Sequence, residues 1–287
     1  MPMRRLLTLL AMPVVLAAAT LAAPSLAAAD TTASANWSGY AIHGKGAHFA
    51  TVAASWTQPK GACTATGTDA YSAFWVGIGG YSLSSDALEQ VGSELDCTAT
   101  GVTRMYAWYE LVPAPSRRVS LAVHGGDRLT ATVTIADHLV TMTLADHTTH
   151  RTFTKTVDDK QIDNTSAEWI AEAPSLCESM TRCETLPLAD FGSIAFSAAK
   201  ATAKTHVTGT VKSRHWLTTK ILLGSRTPLR GTGSSTYAAE PSALTIGGSA
   251  FTIAYTNTTA IPTTTGGATP VTQPESTGRY YGRVSAR

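Results

Sequence analysis

Between Trp37 and Tyr255 short runs of Val, Thr, Ile and aromatic residues alternate with Gly, Asp, Asn and Ser. The dominant period is two, which is the period of a strand and not of a helix. The clearest run is Leu129 to Ile135. Leu129, Ala131, Val133 and Ile135 fall on one side, and Thr130, Thr132 and Thr134 on the other. After Ala136-Asp137-His138 the pattern returns with Val140, Met142 and Leu144. That predicts a hairpin with one buried and one wet face. Residues 151–157 predict a third strand, and no helical stripe of comparable strength follows residue 30. Many short antiparallel strands in one domain imply a sandwich or a barrel.

Three further runs carry polar groups on one face. In Leu88 to Glu94 alternation groups Leu88, Gln90, Gly92 and Glu94. In Tyr106 to Glu110 it groups Tyr106, Trp108 and Glu110, and in Ser166 to Glu172 it groups Glu168, Ile170 and Glu172. Acids, an amide and a large aromatic on sheet faces suit a peptide-binding cleft, where rings supply contact area and polar groups orient the substrate. Polar outer faces are also ordinary in sandwiches, so alternation alone leaves Glu168, Glu172 and Glu110 as equals.

The ends of the chain read differently. Arg4 and Arg5 precede an apolar run, Leu6 to Ala23, and Ala27-Ala28-Ala29 fits a small-residue cleavage site. Residues 1–29 thus read as a secretory signal peptide, with the mature chain starting at Asp30. Residues 30–35 read as a short flexible lead. The expected domain is a single sandwich over 30–258, followed by a Thr/Pro/Gly-rich flexible tail over 259–287.

Removing Arg4 and Arg5 from 22 Lys+Arg leaves 20, matching the 20 Asp+Glu. The mature chain therefore lacks the basic footprint of a nucleic-acid binder, and no other apolar run could span a bilayer. Four cysteines in an exported chain point to two disulfides. Cys177 and Cys183 are close enough in sequence to close a local loop, which leaves Cys63 with Cys97. Sequence alone allows three pairings.

Several hydrolytic chemistries have no signature here. There is no GxSxG elbow, HExxH helix or P-loop. Cysteines committed to disulfides are no nucleophiles, and the eight histidines show no triad or metal spacing. Hydrolysis by this chain would use carboxylates, with no metal and no cofactor.

Six motifs in order resemble the eqolisins, the glutamic peptidases first known from fungi. They are NWSGYAI (Asn36 to Ile42), AFWVGIGGYS (Ala73 to Ser82), ALEQVGSELD (Ala87 to Asp96), YAWYELVP (Tyr106 to Pro113), SAEWIAEAP (Ser166 to Pro174) and CETLPLADFGSIAF (Cys183 to Phe196). The resemblance covers about residues 35–200 and loosens beyond. It implies an all-β fold, an antiparallel β-sandwich of the concanavalin-like or jelly-roll type, with one sheet bent into a substrate cleft. It also implies a catalytic pair at Gln90 and Glu172. The family's cleft residues fall on Trp37, Trp75, Trp108 and Glu110, with Glu94 replacing an aspartate. Gly79 and Tyr106 also stand where fungal members carry aspartates, so the acidic surroundings of the pair are thinner here.

Together with the signal peptide and the charge balance, the resemblance leads to the expectation of a secreted, monomeric endopeptidase acting on polypeptides, with no nucleic-acid or membrane partner after signal removal. An unshifted glutamate base, near ~4.3, would give an acidic to mildly acidic optimum. The alternatives are a non-catalytic carbohydrate-binding or lectin-like sandwich and an inactive peptidase homologue. Either would keep the tryptophans without needing Gln90 and Glu172 together.

Overall fold

The computed structural model describes residues 29–82, 84–179, 182–224 and 237–256. Its elements are β1 (Asp30–Ser34), β2 (Trp37–His43), β3 (Phe49–Thr57), β4 (Ala70–Gly79), β5 (Leu88–Cys97), β6 (Thr103–Val112), β7 (Arg117–Arg118), β8 (Arg128–Ala136), β9 (Leu139–Asp146), β10 (Arg151–Asp158), β11 (Ser166–Glu172), β12 (Ser175–Ser179), β13 (Arg182–Thr185), β14 (Ser193–Ala203), β15 (Thr208–Thr210), β16 (Leu217–Gly224), β17 (Tyr237–Pro241) and β18 (Phe251–Tyr255). No helix occurs among the described residues.

The strands form two layers joined through one long strand. The larger layer runs β6-β5-β4-β11-β2-β16-β17-β18, and the smaller runs β10-β9-β8-β3-β14. Strand β14 belongs to both. Its first half, Ser193 to Phe196, pairs with β18, and its second half pairs with β3. The expected antiparallel sandwich is what the chain forms.

The predicted hairpin is β8–β9. Leu129, Ala131, Val133 and Ile135 are buried, and Val133 lies opposite Met142. Asp137 makes the turn with a φ of 54°, a left-handed conformation that aspartate tolerates better than most residues. The other face carries threonine hydroxyl pairs, Thr141 with Thr156 and Thr143 with Thr154, which tie β9 to β10. Residues 151–157 fall within β10, as the alternation predicts.

The main core lies between the layers. Phe74, Val76 and Ile78 of β4 and Trp169 of β11 meet Leu129 and Val133 of β8 and Met142 and Leu144 of β9. Each such side chain contributes roughly 1.5–3 kcal/mol when taken out of water. The Trp169 indole N–H donates to the Ala53 carbonyl at 3.0 Å, so this wholly buried ring leaves no unpaired donor.

One expectation changes. Residues 30–35 are no flexible lead, because Asp30 to Ser34 form β1, paired in parallel with β16 from Thr219 to Leu223. Such pairing joins segments nearly two hundred residues apart and leaves no local pattern. The outward face of the larger layer carries apolar groups as well. Trp37, Ala41, Ala73, Trp75, Leu88, Trp108, Val112, Ile170 and Ile221 form a second apolar cluster there.

Cys63 and Cys97 are disulfide-bonded, with Cα atoms 5.2 Å apart. Cys177 and Cys183 stand opposite one another in the β12–β13 ladder, and their side chains lie outside the described residues. So do residues 1–28 and the segment beyond residue 256, which contain the signal and tail expected from the sequence. The Cys63–Cys97 bond spans 34 positions, and closing a loop of that size removes conformational freedom from the unfolded chain. Replacing both cysteines by alanine is expected to lower the unfolding free energy by about 2–4 kcal/mol, read by denaturant melts. An unchanged midpoint would contradict this.

Candidate active site

Register turns the three polar faces into three rows on the outward side of the larger layer. Glu168, Gly77, Gln90 and Glu110 are successive partners across β11, β4, β5 and β6. Ile170, Trp75, Gly92 and Trp108 form the next row. Trp37, Glu172, Ala73, Glu94 and Tyr106 form the third, starting from β2. The strands bearing the expected site residues are therefore neighbours, and their polar positions share one face.

Glu172 and Gln90 stand two rows and two strands apart. Between them are Trp75 and Gly92. A Cβ on Gly92 would come within 2.1 Å of the Phe74 carbonyl oxygen and 2.7 Å of the Trp75 Cβ, so no larger residue fits. The Trp75 ring also passes over Gly77, where a Cβ would sit 2.9 Å from its Cζ3. Both glycines give the indole room to lie across the sheet. Its other end reaches Glu172, donating from Nε1 to Oε2 at 2.8 Å.

The second Glu172 oxygen is held as well. Asn36 Nδ2 donates to Oε1 at 2.9 Å. The Ser34 hydroxyl donates to Asn36 Oδ1 at 3.2 Å, which turns the amide nitrogen toward the glutamate. Ala173 N–H donates to the Asn36 carbonyl and ties the two segments together. Trp37 packs edge-to-face on Trp75, with centroids 5.1 Å apart. Burial pushes the Glu172 carboxyl up to about 7, and the donors Trp75, Trp37 and Asn36 hold it from rising further. The residue nevertheless stays partly exposed.

The other acids of the face differ. Glu94, Glu110 and Glu168 are each at most 2% exposed. Gln90 Nε2 donates to Glu110 Oε2 at 2.6 Å. Burial drives the Glu110 carboxyl well above the usual range, and the nearby Glu172 charge adds to it. Glu172 is thus within electrostatic reach of the group that Gln90 touches. Burial likewise raises Glu168, whose two oxygens have no hydrogen-bond partner among the described residues. Ser166 lies beside it and offsets part of that cost without reaching hydrogen-bond geometry.

Of the aromatic residues expected to line the cleft, Trp75 is wholly buried and spends its N–H on Glu172, while Trp37 and Trp108 are nearly so. Gly79, where fungal eqolisins carry an aspartate, has a φ of +88°, and a Cβ there would meet the Asp163 carbonyl oxygen at 2.4 Å. Asn36 and Ser34 escaped the sequence reading as site residues. Asn36 stands in the first motif, next to Trp37, and an amide adjoining a cleft tryptophan was the available signal. No group of three or more His, Cys, Asp or Glu able to hold a metal occurs among the described residues. A shallow hollow lined by Lys45, His48, Lys204 and His215 shares no residue with this face.

The sequence matches the profile of the peptidase A4 family over residues 35–227. The chain belongs to that family. Aspergillopepsin-2 of Aspergillus niger is 28% identical over 194 residues, covering 59% of this chain and 65% of its own length. The chain thus spans under two thirds of that relative. The structure of aspergilloglutamic peptidase from Aspergillus niger is 26% identical, with a TM-score of 0.50, over 65% of this chain and 99% of that one. Scytalido-glutamic peptidase with a transition state analog inhibitor aligns at a TM-score of 0.62 and 24% identity, over 77% of this chain and 98% of its own, and shows the shared fold. In this A4 family member the matched span holds all three rows of the face.

The protonation of the face links to stability. Glu89, Glu110, Glu168 and Glu172 all have raised carboxyls, with burial as the first cause. Unfolded, each would titrate near ~4.3. A raised native value means that the fold keeps protons the unfolded chain has released. The resulting stability is complete below ~4.3 and is lost as pH rises through the native values, which for Glu172 is about 7. Burial lowers His43, which acts oppositely by costing stability below ~6.5. Hydrogen bonds hold Asp146 and Asp163 low despite burial, and these matter only below ~3.9. Four glutamates oppose one histidine, so the unfolding free energy is expected to fall between pH 5 and pH 8. Denaturant melts at the two values test this, and a rise over that interval would contradict it.

Proposed function

We propose that this chain is a secreted glutamic endopeptidase in which Glu172 activates a water and Gln90 stabilises the tetrahedral oxyanion. One observation carries the assignment of the base. Glu172 is the acid of this face that combines partial exposure with a donor on each carboxylate oxygen. A base must meet water, and its lone pairs must be aimed. Glu168, its competitor by alternation, is buried, without a hydrogen-bond partner among the described residues, and favoured in its neutral form.

The step is a direct hydrolysis. Ionised Glu172 removes a proton from the water as its oxygen attacks the scissile carbonyl carbon. The carbonyl π pair moves to oxygen, and an amide N–H of Gln90 donates to that oxyanion. Glu172 then returns the proton to the leaving nitrogen as the C–N bond breaks. An amide suits the second position because it donates without ionising and so never opposes the developing charge.

Polypeptides are the proposed substrates, with one domain over 30–258 acting as a monomer after loss of residues 1–29. The Cys63–Cys97 bond supports an oxidising, extracellular destination. A sugar-binding role gains no support from the tryptophans, because stacking on a sugar needs exposed ring faces and these rings are at most 4% exposed.

The working range follows from the base. With the carboxyl lifted to about 7, ionised Glu172 accumulates closer to neutrality than an unshifted glutamate would. That moves the mildly acidic optimum expected from sequence upward. Casein or peptide digestion across pH 2 to 9 should show kcat/KM rising with pH through that titration. Glu172→Gln and Gln90→Ala should each lose at least about 100-fold. Full activity in Glu172→Gln would show that the base is another group, and a wild type inert at every pH would end the peptidase assignment.

A further inference from the structure

Glu110 is a buried carboxyl that the hydrolytic step above does not use. It stands opposite Gln90 in the β5–β6 ladder, and its Oε2 lies 2.6 Å from Gln90 Nε2. Glu110 Oε1 and Gln90 Oε1 are both buried and without a hydrogen-bond partner among the described residues. The charges that face Glu110 are Glu172 from β11 and Glu94 from β5, and both disfavour its ionisation. Gln90 and the Ser116 backbone act the other way, but burial outweighs them. Arg117 and Arg118 on β7 are exposed, and Arg118 lies over the Tyr106 ring at 3.9 Å. No described cation forms an ion pair with Glu110. Burial without a paired cation favours its protonated form, which can donate.

The contact length favours that donation. An amide N–H to oxygen bond has its commonest length near ~2.9–3.0 Å, whereas O–H to oxygen bonds cluster near ~2.7–2.8 Å and range down to ~2.5 Å. The oxygen and nitrogen of a glutamine amide occupy interchangeable positions, and the hydrogen-bond network decides between them. Turning the amide over puts the Gln90 carbonyl on the Glu110 hydroxyl. Both amide hydrogens are then released from Glu110, and the carbonyl keeps a second lone pair for the water.

We propose that Glu110 is the positioning residue of the pair: in its protonated form it donates to the Gln90 carbonyl and so commits the amide N–H groups to the oxyanion. Ionised Glu110 would accept from the amide nitrogen instead. The glutamine would then turn a carbonyl oxygen, which cannot donate, toward the developing negative charge. The Glu110 proton thus gates turnover on the alkaline side. This rests on the Glu172–Gln90 reading.

The test compares wild type, Glu110→Gln and Glu110→Ala by kcat and KM against pH on one peptide substrate, with folding checked by circular dichroism. Glutamine at 110 is near-isosteric, always neutral and always able to donate to the Gln90 carbonyl. Glu110→Gln should keep kcat within about tenfold of wild type at its optimum, and its alkaline limb in kcat should move up by at least about one pH unit or vanish. Glu110→Ala should lose about 100-fold in kcat with little change in KM, the scale of losing an oxyanion donor. An unmoved alkaline limb in Glu110→Gln, or a loss as large as that of the alanine variant, overturns the positioning role while leaving Glu172 and Gln90 in place. A wild type that cleaves nothing overturns the pair and this role with it. If the alanine variant does not fold, the glutamine variant alone decides.

Discussion

The face that bears the three rows is organised around one carboxylate that is largely withdrawn from water yet supplied with donors on both oxygens. Taking a charge out of water costs free energy unless hydrogen bonds replace its hydration. At Glu172 they come from the Trp75 indole and the Asn36 amide. Each donor depends on structure further out. The indole crosses the sheet because positions 77 and 92 are glycine. The amide points correctly because Ser34 holds its oxygen, and Ser34 is fixed by the parallel pairing of β1 with β16. The result is a carboxyl lifted to about 7, which suits the proposed role of taking and returning one proton.

Around Glu172 the protein has buried further acids that make no ion pair among the described residues. Glu110 and Glu168 share its face, and Glu89 lies on the opposite side of β5. Burial favours the neutral form of each. A neutral carboxyl is a donor as well as an acceptor, so these groups can orient amides and hydroxyls where carboxylates would only repel one another. Such a face gains stability in acid from its buried glutamates, even though the whole chain becomes cationic there. Thinner acidic surroundings, inferred from Gly79, Glu94 and Tyr106, therefore describe the residue identities but not the electrostatics. Few cations and deep burial keep the site strongly proton-binding.

Much of this was legible in the chain. Alternation at Leu129–Ile135 predicted a real hairpin, and alternation at 88–94, 106–110 and 166–172 grouped the side chains that the register brings onto one face. Strand β1 was not legible, because parallel pairing with a distant strand imposes no local period. Nor was the dryness of the outward face, since Trp75 and Ile170 look alike in sequence whether they cap a solvated sheet or line a closed cleft. Alternation left Glu172 and Glu168 as equals and the family resemblance chose Glu172; its partial exposure and a donor on each oxygen support that proposed choice. Asn36 was hidden because its contact with Glu172 crosses 136 positions. Gly79 read as a lost aspartate, whereas its backbone conformation and the nearby Asp163 carbonyl exclude any side chain.

The central claim is that Glu172 and Gln90 act together on one tetrahedral centre. A crystal structure of the protein with a peptide-based transition-state analogue tests it most directly. The account predicts one oxygen of the tetrahedral centre within about 2.6–3.2 Å of a Glu172 oxygen and the other at that distance from the Gln90 amide. An analogue seated on this face with its tetrahedral centre against Glu168, or bound away from Gln90, would contradict it.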